Sequence, residues 1–250
     1  MKAWIRQDKK QANIGLLCVL LTAAAPSFAE GFLPPMAYPV DSPAAAEVGD
    51  FNGDGVLDLV VANSASASVS ILLGNGDGSF QEPLIFAAGD TPRSVAVGDF
   101  DGDGNLDVAA ADLTAVSILL GNGDGTLQPA ISVQAGPGPS FVAVGDINVD
   151  TIQDLVVVGT NSVSALLGNG DGTFGTPLTF PIQFTNGKLA LGDFNGDGTP
   201  DLAGSIALHA DGAAGQRRRH VPVEPGSRRL NPGANGGRRL RWGRNAGSGG

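Results

Sequence analysis

A short run of Asp, Asn and Gly returns at a fixed interval along this 250-residue chain. DFNGDGVLD begins at Asp50, DFDGDGNLD at Asp99, DINVDTIQD at Asp146 and DFNGDGTPD at Asp193, spaced 49, 47 and 47 residues apart. A second motif keeps the same beat: GNGDGSF from Gly74, GNGDGTL from Gly121 and GNGDGTF from Gly168. Two motifs in one phase define a structural unit, and a period of 40 to 50 residues belongs to repeat architectures. Within a unit, apolar runs of strand length are bounded by turn residues, as at Ser94 to Val97, Leu106 to Ala110, Val116 to Leu120 and Ile131 to Val133. Four short strands per unit, with no long 3.6-residue period beyond the first 29 residues, predict an all-β fold: a β-propeller of four-stranded blades, incomplete at about four blades. A nonapeptide β-helix would repeat every nine residues and is set aside.

The nine-residue run carries the chemistry. In DFDGDGNLD, side-chain oxygens of Asp99, Asp101, Asp103 and Asp107 fall at positions 1, 3, 5 and 9, and the carbonyl of Asn105 at position 7. Alternation turns every second residue toward one centre. Such a set of hard oxygens suits Ca²⁺, which takes six to eight, better than Mg²⁺, which keeps several waters. The other loops offer Asp50, Asn52, Asp54, the Val56 carbonyl and Asp58; Asp146, Asn148, Asp150, the Ile152 carbonyl and Asp154; and Asp193, Asn195, Asp197, the Thr199 carbonyl and Asp201. Three of the four have Gly at positions 4 and 6. The third has Val149 and Thr151 there, and loss of the glycine bend predicts a weakened or absent site. The competing reading of any such loop is an Asx-rich turn without metal. A helical EF-hand is excluded, since position 12 lacks Glu and strands flank the loop. GNGDG reads as the turn joining the last two strands of a blade, because Asn-Gly and Asp-Gly tolerate positive φ; a second cation site or a sugar-binding turn is the alternative.

The termini read differently from the repeats. Residues 1–29 have the three parts of a secretory leader: basic Lys2, Arg6, Lys9 and Lys10, an apolar run from Ile14 to Ala25, and Ser27-Phe28-Ala29 as a cleavage site. That run is too short for a membrane span. The expectation is an exported, extracellular or cell-surface protein cleaved near Ala29, with no stable membrane span afterwards. Cys18, the single cysteine, would leave with the leader. Between residues 30 and 208 only Arg93 and Lys188 face 22 Asp and Glu, a formal charge of −20. Such a domain repels itself unless cations neutralise it, and nucleic acid is excluded as a partner.

Taken together, the FNGDG…D loop and LLGNGDGTF resemble FG-GAP/VCBS repeats of integrin-alpha-like propellers, over residues 38 to 208. The resemblance implies a calcium loop between the first two strands of each blade, seven blades in a complete ring, and roles in adhesion, carbohydrate binding or as non-catalytic modules beside enzymes. It implies recognition of a glycan or protein at a surface rather than one reaction. The chain offers little for catalysis: His209 and His220 lie beyond the repeats and Tyr38 is the single Tyr. No enzyme is expected; the alternatives are a module or remnant of a secreted polysaccharide-active enzyme, and a non-functional truncated fragment.

After Leu208 the repeat gives way to Gly, Arg and Pro, read as a disordered tail over 209–250 with a missing or broken fifth blade. Gly215 to Pro222 can be encoded so that a one-base shift spells GNGDGTF, starting 47 residues after Gly168. The same shift under Gly236 to Gly250 can spell AVGDFDGDGTPDLA. The expectation is a reading-frame slip between Leu202 and Ala213.

Overall fold

The computed structural model describes residues 16–19, 36–182, 189–196 and 198–204. The segment expected to be a leader, 1–29, is described only at 16–19, and the tail expected over 209–250 lies outside the described residues. Every element is a strand. β1 (Leu16–Val19) pairs antiparallel with β2 (Met36–Pro39). Three four-stranded antiparallel sheets follow in chain order: β3 (Pro43–Gly49), β4 (Asp58–Asn63), β5 (Ser68–Leu72) and β6 (Leu84–Ala87); β7 (Ser94–Gly98), β8 (Asp107–Ala111), β9 (Val116–Leu119) and β10 (Ile131–Val133); then β11 (Phe141–Gly145), β12 (Asp154–Gly159), β13 (Ser162–Leu166) and β14 (Leu178–Pro181). A pair, β15 (Leu189–Gly192) and β16 (Asp201–Gly204), ends the series. Each sheet is a meander, as in a propeller blade. The array is an incomplete β-propeller of three full blades and a two-stranded fourth among the described residues. No helix of the described residues is long and apolar enough to cross a membrane.

Blades pack face to face, which explains why the second strand of each reads as an unbroken apolar run rather than an alternating one. In β8, Val108 and Ala110 turn toward the first blade with Val60, Ala62, Val69 and Ile71. Ala109 and Ala111 turn the other way, toward Val142, Leu155 and Val157 of the third. In β12 the alternation repeats, with Val156 and Val158 meeting Leu202 and Leu191 of the fourth. Two buried faces leave no polar side, as for strands covered on both sides.

The second residue of the Asp loop is the anchor between blades. Phe51 enters the core shared by blades one and two, Phe100 that of two and three, and Ile147 that of three and four. Burying one such side chain stabilises by about 1.5–3 kcal/mol. Phe100 also stacks edge-on against Phe174 of the next blade at 5.6 Å. The backbone adds a matching bond: Gly125 N–H donates to the Phe51 carbonyl at 2.9 Å and Gly172 N–H to that of Phe100 at 3.0 Å. The GNGDG turns of the second and third blades therefore dock on the Asp loop of the blade before.

At the start of the array, Tyr38 and Val40 cover Leu59, Val61 and Leu72 of the first blade. The Phe80 N–H donates to the Tyr38 hydroxyl at 2.8 Å, and the two rings meet edge-on at 5.6 Å.

Candidate metal loops

Each Asp loop joins the first two strands of its blade, and each GNGDG turn joins the last two, closed by a bridge such as Gly74 to Phe80. Position 1 folds the loop around its own carboxylate. Asp99 accepts from Gly102 N–H at 2.8 Å and from Gly104 N–H at 3.0 Å. Asp50 does the same with Gly53 and Gly55, both at 2.8 Å, and Asp193 with Gly196 at 2.7 Å and Gly198 at 2.8 Å. Presenting those N–H groups inward requires positive φ at positions 4 and 6, which glycine adopts without steric cost; φ is 77° at Gly102 and 86° at Gly104.

The third loop corrects one expectation. Its bend is kept: Val149 stands at φ 63° and Thr151 at 75°, and Asp146 still accepts from Asp150 N–H at 3.0 Å and Thr151 N–H at 2.8 Å. Hydrogen bonds on both sides force the two β-branched residues into the left-handed region, so the departure from glycine appears as strain, of order 1–2 kcal/mol per residue, rather than as a different path.

Position 9 does something its spacing did not reveal. Asp107 is fully buried, and one oxygen accepts from Phe100 N–H at 2.7 Å while the other accepts from Gly121 N–H at 2.7 Å. Asp58 spans Phe51 and Gly74, both at 2.8 Å, and Asp154 spans Ile147 at 2.9 Å and Gly168 at 2.8 Å. This carboxylate pins the Asp loop to the GNGDG turn. In the fourth loop Asp201 accepts from Phe194 N–H at 3.2 Å and from the Asn195 side-chain amide at 3.4 Å. The near-constant offset between the two motifs, 16, 14 and 14 residues from the position-9 Asp to the first Gly of the turn, was the signal in the sequence that could have found this role.

Of the candidate ligands, the structure brings Asp99, Asp101 and Asp107 together, with one carboxylate oxygen from each within 4.8 Å of the others. Among the described residues this is the one acidic cluster of that kind. Asp103 leans aside and accepts from the N–H and side-chain amide of Asn105, both at 2.8 Å, which holds its carboxyl below the ordinary 3.8. Asp54 and Asp150 likewise take the amides of Asn52 and Asn148, at 2.9 and 2.7 Å. Asp197 lies outside the described residues. Burial raises the carboxyl of Asp107 to about 6, with Asp101 and Asp103 adding repulsion, and burial raises that of Asp154 too. Oxygen-only donors around a buried acid and two half-buried ones fit a hard divalent cation.

Fold and loops together define the class: an all-β blade array with an Asp-rich loop at the first turn of each blade. Residues 50–110 and 146–204 match the model of the FG-GAP-like repeat, so FG-GAP-like repeats stand in these two places. No curated protein matches it in sequence. Among solved structures it is similar to an Agrocybe aegerita lectin that recognises non-reducing terminal N-acetylglucosamine, at 26% identity over 63% of this chain and 45% of that one, TM-score 0.47. It is also similar to the Photorhabdus luminescens Tc holotoxin pore, at 21% identity over 80% and 11%, TM-score 0.46. A third is the V. cholerae biofilm matrix protein Bap1, at 17% identity over 69% and 25%, TM-score 0.42. The chain spans less than half the length of each.

Proposed function

We propose that this chain is an exported, non-catalytic calcium-binding propeller module that presents a surface for recognising a glycan or protein, the metal serving a structural part. The observation that carries the metal is the convergence of Asp99, Asp101 and Asp107. Three carboxylates so close repel one another when ionised. Asp99, Asp101 and Asp107, with Asp103 and the Asn105 carbonyl beside them, would hold the ion, and the other loops would use the same positions. Calcium supplies the charge that the −20 domain lacks, at the point where loop, turn and neighbouring blade are joined.

The recognition reading rests on the outermost strands. Ile85, Ile131, Leu178 and Phe180 are exposed on β6, β10 and β14. Between the first two blades Ile85, Phe86, Leu127 and Pro129 line an open groove of about 440 Å³. Exposed apolar residues that recur on the outermost strand of each blade, with this groove between two of them, suit contact with a partner.

Thermal unfolding across a calcium titration tests the metal. Saturation at a hundred times Kd is expected to stabilise by about 2.7 kcal/mol, and magnesium at equal concentration by less. An unchanged melting temperature refutes calcium binding. Glycan-array and pull-down screens with the calcium-loaded protein test recognition, and silence in both refutes it. N-terminal sequencing of the secreted product should begin at Glu30. Resequencing the gene around the Leu202 to Ala213 codons tests the frame slip: no shifted frame encoding GNGDGTF would dismiss it.

A further inference from the structure

The position-9 carboxylates and the GNGDG turns form one unbroken series of hydrogen bonds across three blades. Phe51 N–H donates to Asp58 at 2.8 Å, and the Phe51 carbonyl accepts from Gly125 N–H of the next blade's turn at 2.9 Å. That turn begins at Gly121, whose N–H donates to Asp107 at 2.7 Å, and the second Asp107 oxygen accepts from Phe100 N–H at 2.7 Å. The same parts then repeat. The Phe100 carbonyl accepts from Gly172 N–H at 3.0 Å, Gly168 N–H of that turn donates to Asp154 at 2.8 Å, and Asp154 accepts from Ile147 N–H at 2.9 Å. Every Asp in the series is a candidate ligand of a different loop. Position 2, the other node, lies between two more in sequence: Asp50 and Asn52 around Phe51, Asp99 and Asp101 around Phe100.

The segments between these nodes are short and stiff. Each turn is closed on itself, Asn122 N–H to the Thr126 carbonyl and Asn169 N–H to the Thr173 carbonyl, both at 3.0 Å. Each is also seated on the blade before it. Gly125 and Gly172 are buried at φ 85° and 78°, and a Cβ would stand 2.8 Å from Leu73 Cδ2 on the first and 3.0 Å from Leu120 Cδ1 on the second. Leu73 and Leu120 immediately precede Gly74 and Gly121, the glycines pinned by Asp58 and Asp107. A displaced loop therefore displaces the neighbouring turn, and through it the next position-9 Asp.

We infer that calcium binding at neighbouring loops is positively coupled, each filled loop preparing the next through the turn docked on it. This rests on the calcium reading above and concerns only how the loops act on one another. When Asp99, Asp101 and Asp107 close on a cation, the Phe100 peptide between them loses its freedom and the Gly172 N–H gains a fixed acceptor. Asp154 is then held in place for the third loop before that loop is filled. Order established at one loop need not be established again at the next, which makes two sites cooperative without a change of shape. The effect runs equally in the other direction, since a coupling free energy is reciprocal. Repulsion between neighbouring cations opposes it, but residues 30–208 carry a formal −20, so each ion enters a field that is still negative and ordering decides the sign.

Calcium titration calorimetry of the full chain, with hydrogen exchange of the loop peptides followed at each calcium concentration, tests this. Wild type should bind with a Hill coefficient above one, a result that independent loops of unequal affinity cannot give. Gly125→Ala and Gly172→Ala unseat one turn each and touch no ligand, so each should lower the coefficient and leave the number of ions at saturation unchanged. Gly76→Ala carries the same left-handed strain at φ 78° but faces only Val56 of its own blade, at 3.6 Å, and should keep the wild-type coefficient. Asp101→Ala with Asp103→Ala removes two ligands of the second loop at positions outside the series, and so serves even where a glycine variant fails to fold. Exchange protection of residues 50–58 and 146–154 should then need about fivefold more calcium, the low end of ordinary coupling. A coefficient of one or less, cooperativity that survives both junction glycine substitutions, or flanking loops indifferent to the emptied one would each overturn the coupling and leave the calcium reading standing. No heat and no protection at any calcium concentration would overturn both.

Discussion

The loops beginning at Asp99 and Asp146 trace the same path with different residues at the two bends, glycine in one and Val149 and Thr151 in the other. Both wrap a position-1 carboxylate, and both are pinned to the following turn by a buried position-9 Asp. The loop shape is therefore dictated by the two carboxylates and the blade packing, and glycine makes that shape cheap. Degradation of the motif changes the energy before it changes the path.

If the pin is what the two loops share, breaking it should cost the most. Asp107→Asn places an amide NH₂ against either the Phe100 or the Gly121 N–H, so one hydrogen bond is lost and a donor is stranded in a buried site. We expect about 2–3 kcal/mol of destabilisation in denaturant melts without calcium, and a similar loss for Asp154→Asn. Asp103→Asn in the same loop, at an exposed position, should stay within about 0.5 kcal/mol. Equal effects at positions 5 and 9 would dismiss the pin.

The bends come next. Val149→Gly with Thr151→Gly should relieve left-handed strain of roughly 1–2 kcal/mol each, set against roughly 0.5–1 each for the freer unfolded chain. The pair should thus gain about 1–2 kcal/mol. Gly102→Val with Gly104→Thr should lose as much through strain alone, since a Cβ at Gly104 meets nothing within 4 Å and one at Gly102 only the Gly170 carbonyl at 3.8 Å. If the two exchanges do not move melting temperature in opposite directions, strain is not what separates the loops.

A smaller effect follows pH. Burial lifts Asp107 from 3.8 to about 6, so the folded state holds its proton where the unfolded chain has released it. Stability from this group is full below 3.8 and lost as pH rises through about 6. Asp154, also raised, acts in the same sense. Asp77, Asp124 and Asp171, lowered first by the hydroxyls of Ser79, Thr126 and Thr173, act below 3.8 and in the opposite sense. Calcium-free protein should therefore lose stability on going from pH 4 to pH 6.5, and calcium should remove that slope by competing with the proton. A calcium-free melting temperature that rises across the window would contradict the buried-acid account.

What was readable in the sequence was what local chemistry decides. Asn-Gly and Asp-Gly marked the turns, and strand runs such as Ser94 to Val97 fell where β7 lies. Of the side chains that the spacing turns toward one centre, Asp99, Asp101 and Asp107 come together, while Asp103 is taken up by Asn105. What was hidden depends on the neighbouring blade or on distant backbone. Nothing within DFDGDGNLD says that Asp107 reaches an N–H 14 residues away, or that Val108 and Ala109 face different blades. The bend at Val149 was misjudged for the same reason, since the loop's own residues disfavour a conformation that its surroundings impose.

Position 7 gives the finest cut between the loops, since Val56, Asn105 and Ile152 occupy it in turn. Its N–H always donates to the position-5 carboxylate, at 2.7, 2.8 and 2.9 Å. Its side chain turns out of the loop and over the GNGDG turn: a Cβ on Gly76 would lie 3.6 Å from Val56, and one on Gly170 would lie 3.5 Å from Ile152. Only the carbonyl is then left for a cation. Asn105→Ile should exchange an exposed amide bond to Asp103 for apolar packing on the turn, shifting stability by less than about 0.5 kcal/mol. Calcium affinity by titration calorimetry should hold within about threefold. A tenfold fall would make the Asn105 side chain a ligand, and the second loop chemically distinct from the others rather than a better-folded copy of them.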